Sequence, residues 1–305
     1  MIYTCTITPS IDYTTYLPKF ETDALNRTNE VYYYPGGKGI NVSRVLERLG
    51  QNNIALGFAG GFTGEYIKQF LHREKIETEF IDTHETTRIN VKIKTDQETD
   101  LNGPGPKITH EQQEKLLNKI QKVYNGDWLV LAGSLPDSIP ETFYKRIAAI
   151  CLQKDIKFVL DTSGPLLNVL TREKPFLIKP NQHELGNLFN TTISSKSDAI
   201  HYAKRLIDND VQNVIVSLEG DGAVFVSENN VMEAAAPKGK VVNTVGSGDS
   251  LVSGFVASFV TDNDLLKAFR YGVASSSATA FQTDLCNKDD VELLVSQVNI
   301  NFLNE

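Results

Sequence analysis

Cysteine is scarce and odd in number. Cys5, Cys151 and Cys286 are the only three in 305 residues and lie far apart, so neither a disulfide framework nor the paired spacing of a zinc site is present. Positive charge is the minority: 30 lysines and arginines stand against 38 aspartates and glutamates, a formal net charge of −8. That balance argues against a nucleic-acid binder or a protein of anionic membrane surfaces. Long apolar runs are missing too, and no window approaches the roughly 18 unbroken apolar residues of a membrane span. Met1-Ile2-Tyr3-Thr4 offers neither a basic n-region nor an apolar h-region, so no secretory leader is expected and a cytoplasmic location is. The histidines, His72, His84, His110, His183 and His201, show no metal-ligand spacing. Internal repeats, low-complexity tracts and long linkers are absent as well.

What is present is a globular composition, 41% apolar and 22% charged. Strand candidates at 3–8, 54–58, 128–132, 157–160, 176–178, 214–218 and 223–226 alternate with helical stretches near 65–74, 111–124, 140–154, 182–189, 198–208, 248–260 and 264–281. An earlier helix carries Ile40, Val42, Val45, Leu46 and Leu49 on one face and stops at Gly50. Such alternation predicts a parallel sheet with helices on both faces. Two segments, about 11–34 and 87–103, break the rhythm. In the second, Ile89, Val91 and Ile93 share one face of a strand, and Arg88, Asn90, Lys92 and Lys94 share the other. Both segments read as a small antiparallel sheet outside the main one, within a single domain spanning 1–305. Its apolar face needs a cover, which the same sheet of a second copy is expected to provide.

Four motifs carry chemistry. In Asn243-Thr244-Val245-Gly246-Ser247-Gly248-Asp249, small residues open an apolar helix. Main-chain N–H groups at such a start approach an anion, and the helix dipole favours it. Asp249, in the first turn, is placed to accept the proton of a hydroxyl attacking that anion, although capping alone is the commoner task of an aspartate there. Pro35-Gly36-Gly37-Lys38-Gly39-Ile40-Asn41 opens a second helix with a cation and an amide at its start. Lys179-Pro180-Asn181-Gln182-His183-Glu184 follows a strand at the end where α/β sheets bind ligands, and Glu184 is a hard oxygen ligand for a Mg²⁺-nucleotide. A capping arrangement with a surface glutamate is its plainer reading. Ser217-Leu218-Glu219-Gly220-Asp221-Gly222 reads as a turn between strands. Gly57 through Gly64 lacks the G-x-G-x-x-G order, so a dinucleotide fold of dehydrogenase type is not supported. Asp12 could accept sugar hydroxyls, and Arg27 and Arg88 could clamp a phosphate.

The stretch Gly36 through Asn41 with Gly50 and Gly60, followed by Asn243 through Gly254, resembles in order and spacing the paired signatures of the PfkB (ribokinase-like) carbohydrate kinases. The resemblance spans nearly the whole chain and extends to Thr8-Pro9-Ser10-Ile11-Asp12, although Thr8 stands where related chains often carry Asn. It implies a ribokinase-like three-layer α/β/α Rossmann-type core with a small β-sheet lid over the sugar. It implies Asp249 as general base, and Gly246, Ser247 and Gly248 as the anion hole. Asp12, Gly37, Lys38 and Asn41 match the sugar contacts, while Arg27, Arg88 and Ser134 match the site of the phosphate already on the sugar. Lys179, Asn181, Ser217, Gly220, Gly222 and Gly248 match the ATP side, and Asn181 and Glu184 the Mg²⁺ motif, through water. The implied reaction is phosphorylation of fructose 1-phosphate by ATP to fructose 1,6-bisphosphate, with tagatose 6-phosphate as the alternative sugar. Apart from the resemblance, the apolar face of Ile89, Val91 and Ile93 must meet either the chain's own core or a second lid, and a homodimer through the lid sheets is the expectation. A non-catalytic, nucleotide-sensing family member is the alternative from another class, and the intact Asp249 argues against it.

Overall fold

The computed structural model describes residues 1–134, 136 and 138–303. Its main sheet has ten strands. In space they run β14 (Ile300–Phe302), β13 (Val231–Ala234), β12 (Ala223–Ser227), β11 (Asn213–Ser217), β10 (Leu177–Ile178), β9 (Lys157–Asp161), β8 (Trp128–Ala132), β1 (Ile2–Thr6), β4 (Asn53–Ala59) and β5 (Glu77–Asp82). From β11 to β5 every neighbouring pair is parallel, and β12 to β14 extend one edge antiparallel. The central strands are apolar on both faces because helices cover both. Leu129 and Leu131 join the core under helices Glu141–Gln153 and His110–Ile120, while Val130 and Ala132 join the core under helices Ser247–Asp262 and Leu265–Ala280. Among the described residues no helix is long and apolar enough to cross a membrane.

The sequence missed β5, β13, β14 and the helices Pro165–Leu170 and Lys288–Val295. Each is short or carries charge on its outer positions, as Glu77-Thr78-Glu79 does, so no periodicity stands out.

The two rhythm-breaking segments do form a second sheet, in the order β3 (Val31–Gly36), β2 (Ser10–Tyr16), β6 (Ile89–Lys94), β7 (Glu98–Asn102). It is not wholly antiparallel. The outer pairs are, but β2 and β6 run parallel. Those two strands enter from separate parts of the chain with core elements between them, so no hairpin constrains their direction.

Because β1 lies between β4 and β8, the chain winds away from it in both directions. The strand order reverses there, and a crevice opens beyond the carboxyl ends of the strands. Helix Lys38–Arg48 is fixed beside this point by charge as well as by packing. Arg44, 2% exposed, donates to Glu74 at 2.8 and 3.0 Å and to Asp284 at 2.9 and 3.3 Å. Arg48 joins the same two carboxylates. A buried guanidinium is tolerable only when its donors are met in this way.

Gly57 is the tightest point of the parallel sheet. Its φ is +141°, and a Cβ there would stand 1.9 Å from the Thr6 carbonyl oxygen of the paired strand. Gly57→Ala combines a disfavoured backbone with a clash against the neighbouring strand β1 and should lose about 2–5 kcal/mol of stability. Urea unfolding of the two proteins measures this; a loss below about 1 kcal/mol would mean the strands shift at little cost.

Candidate active site

The carboxyl ends of the central strands open into a cleft of about 1270 Å³. It brings together the expected residues with one exception. Arg27 lies exposed on the loop between β2 and β3, outside the cleft lining.

Gly246 caps helix Ser247–Asp262 in the left-handed conformation, φ 82°, with Leu285 packed where its Cβ would be. The first helical bond runs from the Ser250 N–H to the Gly246 carbonyl at 2.8 Å, so the amides of Gly248 and Asp249 lie ahead of it at the positive end of the dipole. The Ser247 amide instead donates to the Thr244 carbonyl at 3.2 Å, so of the three expected anion-hole residues it is the one with its N–H engaged. Asp249 is buried, and its Oδ2 accepts a 2.7 Å bond from the Asn41 side-chain amide. Burial and the nearby Asp161 carboxylate push the Asp249 carboxyl up to about 7, against the Asn41 bond and the Lys38 and Lys179 ammonium groups.

Asp161, which the sequence did not single out, is the centre of the charge cluster. It ends β9 and is 1% exposed. Its Oδ1 meets Lys38 Nζ at 2.9 Å and Lys179 Nζ at 3.5 Å, while its Oδ2 is buried without a hydrogen-bond partner. Burial works to raise this carboxyl, yet the two lysines hold it below the ordinary carboxylate range. Lys38 shows the mirror image: burial works to lower it, and Asp161 and Glu184 hold it above the usual lysine range. Lys179 lies beside the expected anion hole, its Nζ 3.2 Å from where a Gly248 Cβ would stand.

At helix Gln182–Phe189 the capping reading is realised. Asn181 Oδ1 accepts from the Glu184 amide at 2.7 Å, and Glu184 Oε2 accepts from the Asn181 amide at 2.9 Å. Glu184 is no surface residue, however: its other oxygen faces Lys38 Nζ at 3.5 Å. No group of three acidic, histidine or cysteine ligands exists among the described residues. Mg²⁺ bound with a nucleotide needs only one or two carboxylates, because phosphates and water complete its shell. The orphaned Asp161 Oδ2 and the inward oxygen of Glu184 fit that demand.

The second sheet supplies the opposite wall. Asp12 Oδ1 accepts from Ser10 at 2.8 Å and from Asn90 at 3.0 Å, and Lys92 Nζ lies 3.4 Å from Oδ2. Asn90 Oδ1 is buried and unpartnered. Neither Asn90 nor Lys92 was expected at the site as such; their signal was the polar face they share with Arg88. Arg88 donates through Nη2 to the Thr8 carbonyl at 3.1 Å, leaving Nε buried and unpartnered, and burial lowers its affinity for the proton against the pull of Asp12. Thr8 also donates to the Ser134 carbonyl at 3.0 Å, which ties Arg88 and Ser134 to one strand exit. At the far end Ser217, Gly220 and Gly222 line the cleft beside Val241, Val245 and Phe281, around the β11–β12 hairpin. Of the five unpartnered buried side-chain atoms among the described residues, four, on Ser247, Arg88, Asn90 and Asp161, belong to residues of the cleft, and the fifth is on Asn53 outside it, a clustering that suits a site for a polar ligand.

Residues 5–291 match the model of the pfkB family carbohydrate kinases. The 1-phosphofructokinase of Bacillus subtilis is 48% identical over 303 residues, 99% of this chain and 100% of that protein. The D-tagatose-1-phosphate kinase of Bacillus licheniformis is 36% identical over 304 residues, 99% of this chain and 100% of that protein. The structure of phosphofructokinase-2 from Escherichia coli in complex with fructose-6-phosphate superposes with a TM-score of 0.91 at 28% identity, over 97% of this chain and 98% of that one.

The raised Asp249 carboxyl has a folding consequence. Its unfolded value lies near 3.8 and its folded value near 7, so its contribution to stability is full below about pH 4 and is lost as pH rises through 7. Asp249→Asn cannot ionise. Its melting temperature should exceed that of the natural protein at pH 8, with the gain shrinking at pH 5 and closing near pH 4. A gain independent of pH in thermal unfolding would mean that Asp249 ionises without strain.

Proposed function

The chain belongs to the pfkB family of carbohydrate kinases, and from that membership we propose that it transfers the γ-phosphoryl group of ATP to the 6-hydroxyl of fructose 1-phosphate, giving fructose 1,6-bisphosphate. The observation that carries the chemistry is the buried Asp249, held by Asn41 at 2.7 Å in the first turn of a glycine-capped helix. Similarity favours fructose over tagatose, with 48% identity to the 1-phosphofructokinase against 36% to the tagatose-phosphate kinase.

Asp12 and Asn90 accept hydrogen bonds from the sugar hydroxyls. Arg88, with its spare Nε, and Ser134 hold the phosphate already on the sugar. Asp249 takes the 6-hydroxyl proton as that oxygen attacks, and a carboxyl poised near 7 suits proton transfer at neutral pH. The Gly248 and Asp249 amides, with Lys38 and Lys179 beside them, oppose the charge spreading over the phosphoryl oxygens. Asp161 and the capped Glu184 would hold Mg²⁺, which when bound neutralises phosphate charge. Ser217, Gly220 and Gly222 flank the nucleotide, with Val241 and Val245 offering apolar surface to its base. The second sheet is the lid that excludes water. Three buried free thiols suit a reducing cytoplasm.

Assembly follows from the outer face of the lid. Tyr33, Tyr13, Val91 and Leu101 form one row across all four strands. Tyr33 is 53% and Leu101 58% exposed, with Ile89 at 40% beside them. A two-fold homodimer that pairs these faces removes the patch from water.

Coupled ADP-release assays on fructose 1-phosphate, tagatose 6-phosphate and fructose 6-phosphate should give the highest kcat/KM on the first. Asp249→Asn should lower kcat by about 10²–10⁴; retention of more than a tenth of the rate would remove Asp249 as the base. Val91→Asp sets a charge in the centre of the apolar row and should convert dimers to monomers with weakened sugar binding and near-normal nucleotide binding. Sedimentation decides this, and a natural protein that is monomeric at micromolar concentration would show that the row packs elsewhere.

A further inference from the structure

Lys38 stands in an unusual place for a cation. It is the first residue of helix Lys38–Arg48, at the end where the dipole opposes positive charge. What holds it there is a pair of carboxylates from separate elements, Asp161 Oδ1 at 2.9 Å and Glu184 Oε1 at 3.5 Å. Neither carboxylate owes its position to Lys38. Glu184 is fixed by its bond from the Asn181 amide, and Asp161 ends a central strand against Lys179, which is 4% exposed. After both lysines are counted, Asp161 Oδ2 remains without a partner although the residue is 1% exposed. The donor set is therefore built for more positive charge than two ammonium groups supply. Lys38 differs from Lys179 in being able to leave: its side chain is 33% exposed and sits on four flexible methylenes.

We propose that Lys38 is a tethered stand-in for the divalent cation. In the free protein its ammonium neutralises Asp161 and Glu184. When a metal arrives with nucleotide phosphates, Lys38 yields those oxygens to the metal and turns to the phosphates, while Lys179 stays. A metal ion arriving alone must displace the ammonium and offers it no new partner, so it binds weakly. The carboxylate pair thereby selects the metal–nucleotide complex over the bare ion. Only the identity of the anion that receives Lys38 rests on the kinase reading; the exchange itself is a property of the free protein.

The test uses Mn²⁺ as the probe on the full chain, without nucleotide or sugar, and reads free Mn²⁺ by electron paramagnetic resonance. Lys38→Met should bind Mn²⁺ at least tenfold more tightly than the natural protein, and Glu184→Gln added to it should abolish the gain. Lys92→Met, which removes a positive charge from the same cleft but from Asp12, should change the affinity less than twofold. Lys38→Gln, neutral and able to hydrogen-bond Asp161, serves if the methionine variant does not fold, and should tighten binding in the same direction. Unchanged affinity in the folded Lys38 variant, or an equal gain in Lys92→Met, overturns the proposal. Failure of the sugar-kinase reading would show in the ADP-release assay and leave this measurement unaffected.

Discussion

Two carboxylates, Asp161 and Asp249, are buried in one cleft where water does not solvate them. Left alone, each would take up a proton, because desolvation favours the neutral form. The surrounding chain divides them. Asp161 receives both lysines and is held ionised, while Asp249 receives a neutral amide from Asn41 and is held near its midpoint at neutral pH. The difference lies in the elements that carry them. A strand end points Asp161 at the starts of two helices, where lysines emerge; the first turn of a glycine-capped helix points Asp249 at an amide. One carboxylate becomes a fixed charge and the other a group that exchanges its proton near neutral pH.

The second wall of the cleft solves a different problem with the same economy of parts. The register of the small sheet puts Asp12 directly opposite Asn90 across the β2–β6 pair, so acceptor and amide share one face. The alternate residues, Tyr13 and Val91, necessarily share the other. Under the proposed function, sugar recognition and subunit contact fall on opposite sides of the same strands.

The parts of this arrangement that are legible in the sequence are those held by backbone. Glycines at 36, 37, 246 and 248 announce close approach, and the Gly-Ser-Gly-Asp core by itself singles out Asp249. The even alternation from Arg88 to Lys94 marks both faces of β6. Asp161 is illegible because its only local mark is a carboxylate at the end of an apolar strand, and its partner Lys38 lies 123 residues away. The parallel β2–β6 pairing is illegible for a similar reason, since alternation is the same whichever way a neighbour runs. Arg27 matches a pattern, but a pattern does not say where an exposed loop carries a side chain.

The guanidinium of Arg44 sets an order in time. It is made early, and half of its neutralising charge, Asp284, is made 240 residues later. Until then a nascent chain holding helix Lys38–Arg48 against the sheet would bury a cation with Glu74 alone. The set of ion-pair partners of helix Lys38–Arg48 is therefore complete only once the loop beyond helix Leu265–Ala280 has been synthesised. That same loop carries Leu285, which seats the Gly246 turn. A chain clipped before residue 284 keeps the residues that line the cleft and lacks both Asp284 and Leu285. The cleft is thereby braced by a segment that takes no part in its lining.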